Sequence, residues 1–132
     1  MRQTFDSGPR AATHSGNSVA IVLKSPREVE MMRAAGRIVR RVLTKLQEVT
    51  RPGITTGELG RIADEMITAA GGQALFKGVS TSKTKFEFPA AICASVNEEV
   101  VHGIPGQRVL KEGDIVSVDC GVRLKGYCGD AA

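Results

Sequence analysis

A chain of 132 residues with 42% apolar and 24% charged residues and a net charge of +4 can bury the core of one domain but not of two. No apolar run is long enough to span a bilayer, and residues 1–18 are polar and lack the apolar stretch of a secretory signal. Three cysteines (Cys93, Cys120, Cys128) make an odd count, which speaks against a disulfide framework and for a reducing, cytoplasmic setting.

Residues 1–18 read as a flexible polar tail and 19–132 as the folded part. The run Ser18 to Lys24 is β-branched enough to form a strand. Ser25, Pro26 and Glu28 then spell a capping box with proline at the first helical position. Val29, Met32, Gly36, Val39, Leu43, Leu46 and Val49 follow at steps of three and four, which predicts a long amphipathic helix ending at Thr50–Gly53. Thr55 and Glu58 open a second helix whose apolar face is Leu59, Ile62, Ala63, Met66 and Ile67, and Gly71-Gly72 close it. Beyond that point the periodicity changes, and "ALFKG", "AAICASV" and "DIVSVDCGV" read as strands. The fold class is therefore α+β, with two helices packed on a mainly antiparallel sheet that finishes in a hairpin.

The terminal "VDCGVRLKGYCGD" carries Asp119 and Asp130 on the two arms of that hairpin. A loop of Lys125-Gly126 sets Asp130 opposite Gly121, diagonal to Asp119, whereas a loop of Leu124-Lys125 sets the two aspartates directly opposite. Either loop has an even number of residues, so either leaves both carboxylates on one sheet face, roughly 5 to 8 Å apart. Like charges so placed are relieved by water, by protonation of one of them, or by a bound cation. The flanking "IVSV" reads as a buried strand, which disfavours simple solvation, and paired carboxylates suit divalent metals. Parity also puts Cys128 on the aspartate face and Cys120 on the opposite one, as a small core residue.

"CASVNEEVVHGIPG" presents His102 in a loop after a strand. A lone loop histidine is more often structural than catalytic. Taken together, however, "FPAAICASVNEEVVHGIPG", "GDIVSVDCGV" and "GYCGD" resemble the first half of a type I methionine aminopeptidase, and the likeness begins near "IVLKSPREVEMMRAAGRIV". The resemblance implies the first α/β half of a pita-bread fold, in which a second half completes a site for two divalent metal ions. Co, Mn, Fe and Zn are all compatible with its ligands. It further implies that Asp119 and Asp130 are metal ligands, that His102 is catalytic and touches the substrate, and that Phe88 and Cys93 line the pocket for a methionine side chain. The activity implied for the complete enzyme is removal of the initiator methionine from nascent polypeptides. The metals there lower the pKa of a water that attacks the first peptide carbonyl. A further histidine ligand and two glutamates belong to the second half in that family, so these 132 residues are expected to be inactive alone.

One departure from the family pattern is the long basic stretch Gly78 to Phe88, which puts the detail of the pocket in doubt. The competing reading is a non-catalytic pita-bread-like module that binds the ribosome or another protein. Its support is a basic stripe of Arg33, Arg37, Arg41 and Lys45 along the first helix, partly balanced by Glu30 and Glu48.

Overall fold

The computed structural model describes residues 21–80 and 86–132. The expected tail of residues 1–18, and the centre of the Gly78 to Phe88 stretch, lie outside the described residues. Ile21 to Lys24, expected in a strand, instead run exposed and unpaired with any strand into the first helix.

Helix α1 (Pro26–Val49) starts as its sequence dictates. The Ser25 hydroxyl accepts the Glu28 N–H, while the Ser25 N–H donates to Glu28 Oε2 at 2.7 Å. Helix α2 (Thr56–Ala69) repeats the device with Thr55 and Glu58. It ends in a Schellman motif: Gly71 has φ +71°, its N–H bonds to Thr68 O, and the Gly72 N–H bonds to Ile67 O. The buried stripe of α1 is Ala35, Ile38, Val39, Val42 and Leu46, so it begins later than the expected face. Val29 and Met32 are exposed, and Leu43 sits at the margin of the core. On the polar side, Glu30 pairs with Arg33 and Arg37, and Glu48 with Lys45, so much of the basic stripe is locally neutralised. Such exposed pairs contribute little to stability, about 0–1 kcal/mol each.

Among the described residues four antiparallel strands follow: β1 (Gln73–Ala74), β2 (Ile92–Val96), β3 (Val116–Leu124) and β4 (Tyr127–Ala131). The long β3 organises the sheet, pairing with β1 and β2 at its two ends along one side and with β4 along the other. Cys120 and Val122 are fully buried in the core with Ile92 and Val96, and α1 and α2 cover that face. The "IVSV" run is less buried than expected: Ile115 and Ser117 are exposed, while Val116 and Val118 are half-buried against the core. Alternation explains this, since only every second residue of β3 points towards the helices.

One close helix–sheet approach brings two glycines together. A Cβ on Gly129 of β4 would lie 2.5 Å from the Gly36 nitrogen of α1. Glycine at position 129 is thus what lets α1 rest on the hairpin backbone, and that contact in turn sets the height of β4 against the helix layer. Gly129→Ala should cost about 1–3 kcal/mol through forced separation of helix and strand, read as a lowered urea midpoint; an unchanged midpoint would refute the close approach. The caps predict a pH dependence. Hydrogen bonds from the Thr55 backbone and hydroxyl hold the Glu58 carboxyl below its ordinary value of 4.5, so its stabilisation is present above pH 4.5 and is lost as pH falls through the lowered folded value. Glu58→Gln should therefore be the less stable protein at neutral pH and should converge on the parent in acid, as measured by denaturation midpoints across that range.

Candidate metal centre

The turn between β3 and β4 is made by Lys125 and Gly126, with φ +50° and +85°. Positive φ at both central residues is the signature of a two-residue hairpin whose twist matches its strands. Of the two registers open to the sequence, the structure adopts the one that pairs Gly121 with Asp130 and Arg123 with Cys128. Asp119 pairs on its other side with Cys93 of β2. Strand parity then assembles one face from Cys93, Ser95, Asp119, Gly121, Asp130 and Cys128, turned away from the helices. Cys120 faces the core, where burial pushes its thiol up to about 12.

Gly121 makes this face workable. A Cβ there would sit 2.8 Å from Asp130 Oδ2, 3.0 Å from Phe76 Cε1 and 3.1 Å from Leu75 Cβ. The Asp130 carboxylate thus lies across the glycine that separates it along the face from Asp119. Asp119 Oδ1 is buried and has no hydrogen-bond partner. Burial first, and then the negative Asp130, push the Asp119 carboxyl above its usual range; the His102 charge and the Cys120 backbone N–H act the other way. The same two forces, burial ahead of the two aspartates, raise the Cys93 thiol. An orphaned buried carboxylate oxygen beside a second carboxylate fits a divalent cation, which would relieve desolvation and repulsion together. No group of three or more His, Cys, Asp or Glu side chains capable of holding a metal occurs among the described residues.

His102 stands in the loop after β2 with φ +61°, a conformation that costs a non-glycine residue about 1–3 kcal/mol and persists only when its surroundings enforce it. The next residue supplies that enforcement: Gly103 N–H donates to Ser95 Oγ at 3.1 Å, and Gly103 O accepts the Ala94 N–H at 2.9 Å. Any side chain at position 103 would collide with Ala94 O and Glu99. The loop is then moored to α2, where Gly106 N–H donates to Thr56 Oγ1 at 3.0 Å and Gly57 N–H to Gly106 O at 2.8 Å. Asn97, also at positive φ, ties the exit of β2 to the entry of β3 by accepting the Ile115 N–H and donating to Asp114 Oδ1, both at 2.9 Å.

Of the residues singled out from sequence, Asp119, Asp130 and Cys93 share one face, and His102 lies near enough to act electrostatically on Asp119. Phe88 is half-buried at the neck of the Gly78 to Phe88 stretch, where its N–H bonds to Val79 O at 2.8 Å and its carbonyl accepts the Gly78 N–H at 2.9 Å. Gly121, Ser95 and Thr56 were not singled out. Gly121 lies between the aspartates and is readable in hindsight as a slot, whereas the two hydroxyls carry no local signal.

Residues 30–132 match the model of metallopeptidase family M24. The chain is 52% identical over 112 residues to methionine aminopeptidase of Clostridium perfringens and 50% identical over 112 residues to methionine aminopeptidase 1 of Bacillus subtilis; each match covers 85% of this chain and 43% of the relative. Among solved structures it is similar to methionine aminopeptidase of Thermotoga maritima, with 39% identity and a TM-score of 0.75 over 84% of this chain and 43% of that one. The chain thus spans less than half the length of these relatives, and its helices and sheet correspond to one α/β half of their pita-bread fold. With residues 30–132 matching its model, the chain belongs to metallopeptidase family M24.

Proposed function

We propose that this chain supplies the first half of the active site of a methionine aminopeptidase, which removes the initiator methionine from nascent polypeptides. The observation that carries this reading is the buried, unpartnered Asp119 Oδ1 facing the same way as the Asp130 carboxylate across Gly121. Asp119 and Asp130 would hold two divalent metal ions, with further ligands from a second α/β half. When bound, the metals supply Lewis acidity, which makes a water nucleophilic near neutral pH and polarises the scissile carbonyl.

This chain's own side chains take distinct parts in that task. Asp119 and Asp130 fix where the cations sit, because their backbones belong to paired strands and not to a loop. Held rigidly by its loop, His102 is placed to touch the substrate backbone and to steady the charge that develops on the reacting carbonyl. Cys93, on the floor beside Asp119, and Phe88 offer an apolar, polarisable wall to a methionine thioether. The free thiols of Cys93, Cys120 and Cys128 fit a reducing cytoplasmic setting, and no helix among the described residues is long and apolar enough to cross a membrane.

Titration of the 132-residue chain with manganese(II), followed by the EPR signal of free ion, should reveal a weak site that Asp119→Asn and Asp130→Asn each remove. Gly121→Ala should weaken it by about 10- to 100-fold by displacing Asp130. Equal binding by all four proteins would overturn the ligand assignment. In the full-length polypeptide, release of methionine from a Met-Ala peptide should need a divalent metal, and His102→Ala should lower kcat by about 10²–10³-fold. The 132 residues alone should release none, so measurable release by them would sink the division of the ligand set between two halves.

A further inference from the structure

Among the described residues only two polar side chains are buried, Thr56 at 2% and Ser95 at 4% exposure. They come from different elements, α2 and β2, and lie far apart in sequence. Both hydroxyls serve one short segment, accepting the N–H groups at the two ends of Gly103-Ile104-Pro105-Gly106, immediately after His102. A buried hydroxyl is costly unless paired, and here each is paired with a backbone donor that would otherwise be orphaned in a loop. Neither bond completes a helix or a strand ladder. We infer that Ser95 and Thr56 are positioning residues for His102, two clasps that hold the loop behind it and so set the histidine's place over the carboxylate face.

The surroundings agree with this assignment. Gly57 and Gly60 of α2 leave room for the segment: a Cβ at 57 would meet Gly106 O at 2.9 Å, and one at 60 would meet Pro105 Cβ at 3.0 Å. Thr56 itself returns a bond to Gly106 O at 3.3 Å, and its backbone N–H reaches Arg108 O at 3.0 Å. On the other side, the Glu99 carboxylate accepts the Val96 N–H at 3.0 Å and the Arg108 guanidinium at 2.9 Å, which closes the loop that contains His102. His102 is therefore a strained residue in a loop held by the Glu99 contacts on one side and by the two hydroxyl clasps behind it.

This inference rests on the reading of His102 as the residue that touches substrate, and the tests separate the two. In the unmodified 132-residue chain, the Gly103 and Gly106 amides should show slowed hydrogen exchange despite lying in a loop; exchange at the rate of a free amide would overturn the clasps without any substitution. Ser95→Ala should speed exchange at Gly103, and Thr56→Val at Gly106, each by about 5- to 30-fold, the worth of one hydrogen bond. In the full-length polypeptide at saturating metal, both should lower kcat about 10- to 100-fold with KM nearly unchanged, as a displaced group near the reacting atoms does. Thr56→Ser, which keeps the hydroxyl, should restore both exchange and kcat. If His102→Ala lowers kcat while Ser95→Ala and Thr56→Val leave it intact, the positioning role is wrong and the reading of His102 stands. If His102→Ala leaves kcat intact, that reading itself fails.

Discussion

The register of the β3–β4 hairpin governs most of what matters in this molecule. A two-residue turn at Lys125-Gly126 gives the pair an even offset, so Asp119, Gly121 and Asp130 project from one face, and Gly129 from the other. A shift by one residue would turn Asp130 towards α1 and bring Gly129 to the free face. The contact of Gly129 with Gly36 and the placing of the Asp130 carboxylate over Gly121 are therefore two consequences of one pairing, each of which disfavours slippage.

That geometry carries an electrostatic cost that a fold without function would have little reason to keep. Like charges on neighbouring strands repel, and burial of Asp119 Oδ1 without a partner adds desolvation. The same features become an asset once a divalent cation is present, because the repulsion turns into coordination. His102 shows the same economy in backbone terms, since its left-handed conformation is sustained by hydrogen bonds from β2 and α2. Strain at His102 and charge repulsion at Asp119 lie near one another, while α1 and α2 bury ordinary aliphatic side chains. The scaffold is conventional, and its local violations cluster at the site.

Local signals were legible wherever the physics is local. Both capping boxes and the Schellman ending of α2 depend on residues within a few positions of one another, and each stands where the sequence put it, whereas the hairpin loop was left open between two positions. Parity was legible too, because a two-residue strand period needs no knowledge of partners. Longer-range details were not. The stripe of α1 that is buried begins only at Ala35, and no helical period reveals which turns of a helix will be covered. Ile21 to Lys24 have strand-like residues but pair with no strand, since β-propensity alone does not secure a partner.

By itself the sequence determined the α+β class, both helix starts and the common face of Asp119 and Asp130. Through its motifs it also determined the likeness to a metallopeptidase half. Only the tertiary structure chose between the two hairpin registers, placed the Asp130 carboxylate across Gly121 and left Asp119 Oδ1 without a partner. Only the fold, likewise, brought Ser95 and Thr56 to the two ends of one segment behind His102. The division follows from distance: caps and strand parity are decided by neighbours in the chain, whereas register, burial and partnership are decided by whatever packing brings alongside.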